Sequence, residues 1–124
     1  MAISEDGGSE VGASGAGRRD SEVVVGAHIL TLPDGQVNLS YVLKDLEDDE
    51  MPWSYMWDDT RRELQSVINS GSKLFTATDD VDFLAKLAVA DCVAQFLIIE
   101  RGFDASAALR LRDRWLYVSV EENH

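Results

Sequence analysis

The segment MPWSYMWDDTRREL, residues 51–64, holds the densest group of aromatic side chains in the chain, so its conformation decides how the core is built. Pro52 suits the first turn of a helix, because proline lacks an N–H group and loses no hydrogen bond there. Gly71 suits the end of a helix. The spacing therefore predicts one amphipathic helix from Pro52 to Gly71, with apolar positions at steps of three and four: Trp53, Met56, Trp57, Thr60, Leu64, Val67 and Ile68.

Tyr55 does not fit the apolar stripe of this predicted helix. At about 100° per residue it lies nearly opposite the two tryptophans, so it either meets a second element or is exposed. Asp59 and Arg62 lie on the outward side of the same helix, where they form a three-residue pair. We therefore expect any contact surface of this segment on the side of Tyr55, Asp59 and Arg62.

The acidic run DLEDDE, residues 45–50, precedes the aromatic segment. A calcium loop needs oxygen ligands at fixed spacing around a tight-turn glycine, and this run has neither the glycine nor the spacing. We predict a solvated linker without a metal site. Asp48, Asp49 and Glu50 join the candidate partner-binding residues, because an acidic run can contact a basic partner.

The part of the chain before the acidic run divides into a tail and an ordered start. Residues 1–22 are rich in Gly, Ser and Ala and bury almost nothing, which predicts a flexible tail. Residues 23–32 are β-branched and aliphatic and predict a strand, followed by a turn at 33–35. Either a short second strand or a helix cap comes next. Helical spacing then predicts a helix through Leu39, Val42, Leu43 and Leu46.

The segment VDFLAKLAVADCVAQFLIIERG, residues 81–102, is the most apolar in the chain. Asp79 or Asp80 is a suitable N-cap and Gly102 a suitable end, which predicts a helix over about 80–101. Charged residues interrupt the segment, so its uninterrupted apolar runs are too short to span a membrane. Asp82 and Asp91 lie on nearly opposite sides, which indicates a central helix with different neighbours along its length.

The C-terminal part has two interpretations. Asp104 can cap a short helix, after which the alternating residues 115–120 predict a strand that pairs with 23–32. Alternatively, residues 109–120 form one long strand. The predicted fold class is α+β: one small domain over 23–124, with three to four helices around the central helix at about 80–101, an N-terminal strand or hairpin, and a C-terminal strand.

The charge balance excludes some classes of partner. The chain has 23 acidic and 11 basic residues, a formal net charge of −12 and a pI near 4.3. Nucleic-acid binding needs a basic surface, so we expect no direct contact with nucleic acid. An anionic membrane surface would also repel the chain. A more basic protein, or a second copy of the chain, remains as the expected partner.

The residue types needed for catalysis are few. Cys92 is the only cysteine and lies among Ala, Val and Phe, which predicts a small buried hydrophobe. His28 lies within the predicted first strand, where a single histidine is usually structural. No nucleophile–base set, zinc ligand set or nucleotide loop is found, so we expect no catalytic residue, no metal and no cofactor. The N-terminus lacks a secretion signal pattern, which predicts a cytoplasmic location.

The sequence therefore predicts a non-enzymatic, acidic interaction module, such as an immunity, antitoxin-like or adaptor protein, that binds a more basic protein. Two alternatives remain open. A homo-oligomeric structural or accessory subunit would have an apolar patch too large for a monomer. A small ligand-binding or enzymatic domain would have a pocket lined by Trp53, Trp57 or Trp115.

Overall fold

The structure is a computed structural model that describes residues 22–122. The predicted tail, apart from its last residue, lies outside the described residues. Within this range the chain forms a five-stranded mixed sheet and three helices, which confirms the α+β class and the small single domain. The elements are β1 (Val24–Val25), β2 (Ile29–Leu32), β3 (Gly35–Lys44), β4 (Trp53–Asp58), β5 (Glu63–Asn69), α1 (Lys73–Ala77), α2 (Val81–Arg101) and α3 (Ala105–Glu121).

The strands lie in the order β1-β2-β3-β5-β4. β1, β2 and β3 form an antiparallel meander, and β4 and β5 form an antiparallel hairpin. The two groups join through parallel pairing of β3 with β5, from Asn38 opposite Glu63 to Lys44 opposite Asn69. The acidic run therefore forms part of the connection that carries the chain from β3 to β4, on the outer side of β5.

The core lies between one face of the sheet and the helices. Strand side chains alternate between two faces, and Leu30, Val37, Leu39, Leu64 and Ile68 are buried on the helix side. Helix α2 packs against β3, β4 and β5 and also against α3, while α3 contacts β1. The predicted arrangement of helices around one central helix is not confirmed.

The long apolar helix was predicted at nearly its observed bounds. Asp80 is the N-cap of α2, and its side chain accepts a hydrogen bond from the backbone N–H of Phe83. Gly102 ends the helix in the left-handed conformation, with φ of 70°. This conformation carries little strain only for residues such as glycine.

The helix predicted from Pro52 to Gly71 is wrong, because this segment forms the β4–β5 hairpin and the start of the following turn. Every second residue of β4 lies on the helix side, which is the period of a strand; these residues are Trp53, Tyr55 and Trp57. The sequence spacing suits both periods, since Met56 continues a helical stripe from the tryptophans while Tyr55 continues the alternation of a strand. Pairing with a buried β5 decides between them, because tertiary contacts override weak local preferences.

The helix predicted through Leu39 to Leu46 is also wrong, because residues 35–44 form β3. The predicted turn at 33–35 is present as a two-residue hairpin connection, and Gly35 has φ of 133°. The predicted strand at 23–32 is interrupted, since residues 26–28 leave the sheet between β1 and β2. His28 therefore lies in a bend, with an exposed side chain, and not within a strand.

The predicted C-terminal strand is wrong in both of its forms, because residues 105–121 form the single helix α3. Ala107, Leu111, Trp115 and Ser119 are buried at four-residue steps, which satisfies helical packing in spite of the alternating sequence. The pairing of 115–120 with 23–32 is replaced by a side-chain contact. The indole N–H of Trp115 donates to the carbonyl of Ala27, which ties α3 to the bend between β1 and β2.

Candidate functional site

Strand β3 pairs with β2 along its first four residues and with β5 from Asn38 onward. Its pairing with β2 ends where Ile29 lies opposite Asn38, and one further bond runs from Leu39 N–H to the carbonyl of His28. Pairing with β5 continues on the other side as far as Lys44. Residues 40–44, here named the open edge, therefore have no described strand on the side of β2.

The backbone of the open edge presents donors and acceptors in a regular pattern. Asn38 N–H donates to Arg62, and the carbonyl of Lys44 accepts from Ser70, so even-numbered residues of β3 point toward β5. Odd-numbered residues point the other way. The N–H and C=O groups of Tyr41 and Leu43 therefore point outward, and neither residue has a hydrogen bond on that side to any of residues 22–122.

The three central side chains of the open edge form an exposed, largely apolar surface. Tyr41 is 51% exposed, Leu43 is 50% exposed and Val42 is 37% exposed, whereas Leu39 in the paired half is 9% exposed. Tyr41 and Leu43 lie on the helix side of the sheet and Val42 on the opposite face. An unpaired strand with such side chains is a template for another extended chain.

A groove of about 170 Å³ lies beside the open edge on the helix side. Its walls come from β3, from the first turns of α2 and from the end of α3; they include Tyr41, Asp82, Val89, Trp115, Ser119 and Glu122. Lys86 also lines it, but its ammonium group lies 2.7 Å from a carboxylate oxygen of Asp82. Trp115 is the only one of the three tryptophans that lines this groove.

Buried Asn69 holds the acidic run in place. Its side-chain N–H groups donate to the carbonyls of Asp48 and Met51, and its side-chain oxygen accepts from the N–H groups of Leu46 and Gly71. Asn69 is fully buried, so these bonds replace all contact with water. The run is solvated, as predicted, but its backbone is fixed at both ends.

The acidic side chains of the run remain at the surface. Asp48, Asp49 and Glu50 are all exposed. The Asp48 carboxylate accepts hydrogen bonds from the N–H groups of Glu50 and Met51, which stabilises the turn. Lys73 lies 3.7 Å from the Asp49 carboxylate, and its backbone N–H donates to the Asp49 carbonyl. One basic residue therefore faces a run of five acidic ones.

The other predicted contact residues, Tyr55, Asp59 and Arg62, do not form one surface with the acidic run. Asp59 and Arg62 lie in the turn after β4, whereas the run lies before β4. Arg62 bonds the carbonyl of Gln36 and lies 3.4 Å from Asp34, so it ties two hairpins together. Asp59 is exposed.

Tyr55 is half-buried on the helix side of β4. Its hydroxyl group donates to Glu100 of α2 at 3.4 Å. Burial and the neighbouring Glu100 carboxylate raise the pKa of Tyr55 above its usual value. Tyr55 therefore serves as a contact between sheet and helix. It lies on the same face of β4 as the two tryptophans, whereas the helical interpretation placed it opposite them.

The remaining tryptophans have structural contacts. The indole N–H of Trp53 donates to the Asp91 carboxylate at 2.9 Å. Trp57 packs against Phe96 with ring centroids 4.8 Å apart, and the guanidinium groups of Arg62 and Arg101 lie 5.7 and 5.3 Å from its ring centroid. These contacts fix β4 to α2, so of the three tryptophans expected to line a ligand pocket, Trp115 alone lines the groove.

Cys92 is buried in α2, as predicted, and its thiol lies 3.5 Å from the carbonyl of Ser54. Burial raises the pKa of this thiol to about 11, so it is protonated at neutral pH.

Among residues 22–122, no cluster of three His, Cys, Asp or Glu side chains is arranged to hold a metal ion. None of the described helices has the length and apolar character needed to cross a membrane.

Sequence reasoning missed Tyr41, Val42 and Leu43 as candidate contact residues. The signal was present in LPDGQVNLSYVLK, residues 32–44, where Asp-Gly lies between alternating apolar residues and predicts a hairpin.

Comparison of the chain with protein-family models, with curated proteins and with solved structures returns no match.

Proposed function

We propose that this chain is a non-enzymatic, acidic interaction module that binds a more basic protein, in the manner of an immunity, antitoxin-like or adaptor protein. The observation that carries this proposal is the open edge of β3, an exposed apolar strand with unpaired backbone groups next to a fixed acidic run. Such an edge is normally blocked by charges, proline or a covering element. Its retention at the surface is consistent with a role in binding.

Charge supports a basic partner over an acidic one. The chain carries a formal charge of −12, and five of its acidic residues lie in the run that follows Lys44 at the end of the open edge. Complementary charge raises association rates and suppresses partners of the same sign. Two copies of this chain would repel each other at long range, which disfavours the homo-oligomeric alternative.

The polar groups of the groove argue against the enzymatic alternative. Lys86 is paired with Asp82 at 2.7 Å, and Cys92 is buried outside the groove lining. A catalytic site needs a nucleophile or base that converges with a charge-stabilising group on one reacting position. His28 lines the groove, but the two lining serines donate elsewhere, Ser40 to the Glu63 carboxylate and Ser119 to the carbonyl of Leu116.

Affinity capture followed by binding with purified proteins tests the proposed function. The full chain is used as bait in its own cells, and each captured protein is purified and titrated against it by calorimetry. We expect a partner with a basic pI whose affinity falls steeply as salt rises, because screening weakens the attraction between opposite charges. A confirmed partner that is acidic, or whose affinity does not depend on salt, would contradict the proposal.

A further inference from the structure

We propose that the partner contributes a basic, extended segment that adds to the sheet as a strand beside residues 40–44 of β3. This inference rests on the proposed function and specifies its site and its binding mode. Strand addition takes affinity from backbone hydrogen bonds and specificity from alternate side chains. The open edge supplies the backbone donors and acceptors, and the groove beside it supplies space for the alternate side chains.

The backbone of the open edge fits an added strand in number and spacing. Tyr41 and Leu43 each direct one N–H and one C=O outward, separated by one residue that bonds β5. An extended segment opposite them can form four backbone hydrogen bonds without disturbing the existing sheet. Its length is limited on one side by the bend at 26–28, where His28 already bonds Leu39.

The side chains beside the edge provide a place for the added strand's own side chains. On the helix side, Tyr41 and Leu43 leave half of their surface exposed, and the groove of about 170 Å³ continues from Tyr41 toward Val89 and Trp115. A volume of this size holds one aliphatic side chain of the added strand. The added strand would thereby cover the apolar surface of the open edge and of the groove, which supplies the hydrophobic part of the binding energy.

Charge around the edge selects a basic segment. Glu122, Asp82 and Lys86 line the groove, and Asp82 and Lys86 pair at 2.7 Å. A Lys or Arg side chain of the added strand that enters the groove would meet the Glu122 carboxylate. The acidic run continues from the open edge but turns toward β5, where Asn69 holds it, so it adds to the attraction at longer range. The formal charge of −12 would repel acidic segments and a second copy of this chain.

The outer edge of β4 is unpaired as well, but it lacks the other features. Its helix-side residues Trp53, Tyr55 and Trp57 are half-buried and already contact α2. The groove of about 170 Å³ has no β4 residue in its lining. An added strand would gain backbone bonds there with little apolar surface to cover, so the open edge of β3 is the better site.

Selection from a random peptide library displayed on phage, with the full chain as target, provides the probe. We expect enriched peptides in which Lys or Arg alternates with Val, Ile or Thr. The strongest peptide is then synthesised, and its affinity is measured for the natural chain and for four variants. Recovery of no peptide would overturn strand addition and leave the proposed function standing, whereas recovery of only acidic peptides would overturn both.

Two matched pairs of variants locate the binding mode. Leu43→Pro removes an outward N–H that the sheet does not use, while Leu43→Ala keeps it; we expect Leu43→Pro to weaken binding at least about tenfold and Leu43→Ala by less. Val42→Lys and Met56→Lys place the same charge on exposed positions of β3 and β4. We expect Val42→Lys to weaken binding of the basic peptide and Met56→Lys to leave it unchanged.

The outcomes separate the two proposals. Basic peptides that bind Leu43→Pro and Val42→Lys as tightly as the natural chain would overturn strand addition and leave the proposed function standing. The second pair keeps the test valid if Leu43→Pro fails to fold, which circular dichroism shows directly. Concentration-dependent dimers of the natural chain that Val42→Lys abolishes would overturn the basic partner and identify a second copy as the occupant.

Discussion

The two halves of β3 differ in almost every physical respect although they form one continuous strand. Val37 pairs with β2, Leu39 N–H donates to the carbonyl of His28, and both side chains are buried under the helices. Tyr41 and Leu43 have no described strand on that side, and their side chains are half-exposed. The difference arises because β2 is four residues long and β3 is ten. A mismatch in strand length has thus left apolar surface at an edge, where another chain can reach it.

The covered half also shows what an occupied edge looks like. β2 pairs with β3 through a hairpin, and its leucines, Leu30 and Leu32, are buried in the main core. A strand from a partner would repeat this arrangement further along β3. Several changes can break or sharpen the contrast between the two halves.

Loss of Asn69 should have the largest effect, because this residue anchors the acidic run that follows the open half. Asn69→Ala leaves the carbonyls of Asp48 and Met51 and two N–H groups without their partner. We expect a loss of about 3 to 5 kcal/mol in the free energy of unfolding. Urea denaturation measures it, with Asn38→Ala, an exposed asparagine of β3, as the control. Equal effects of both changes would show that the run is not anchored through Asn69.

Truncation of one leucine in each half compares their burial directly. Leu39→Ala should cost about 2 to 4 kcal/mol, because it opens a cavity in the core. Leu43→Ala should cost less than about 1 kcal/mol, since half of that side chain is already in water. Thermal and urea unfolding of the two variants provide the values. A similar cost for both would mean that the second half of β3 is covered in solution.

Alkaline pH tests whether the covered side of the sheet is dry. Burial raises the pKa of Cys92 from 9.0 to about 11, so the unfolded state loses this proton first as pH rises. The natural chain should therefore lose on the order of 2 kcal/mol of stability between about pH 9 and pH 11. Cys92→Ala should remove this part of the pH dependence. Identical slopes in both proteins over that range would contradict the buried thiol.

The sequence predicted the long helix α2 well and the sheet poorly, for physical reasons. Asp80 and Gly102 are local signals that act within one turn of α2. The strands β4 and β5 carry no such signal, because the aromatic cluster at 53–57 fits the period of a helix as well as the alternation of a strand. Their pairing depends on β3 and α2, which are distant in sequence. Local spacing could not supply this information.

The candidate site was predicted less completely than the fold. Exposure of the acidic run followed from its composition, but its anchoring depends on Asn69, about twenty residues further along. Tyr55 was singled out because it did not fit a helix, and its actual contact is Glu100 of α2. The open edge arises from the length difference between β2 and β3, which only the register of the sheet reveals. A hairpin signal at 32–44 would have placed these residues on a strand but not at an edge.

Backbone amide hydrogen exchange along β3, followed residue by residue by NMR, tests the central claim most directly. Slow exchange marks an amide held in a stable hydrogen bond. In the free protein we predict slow exchange at Val42 and Lys44, which bond β5, and fast exchange at Tyr41 and Leu43, which point outward. Equal protection of all four amides in the free monomer would contradict the account, because the edge of β3 would then already be occupied.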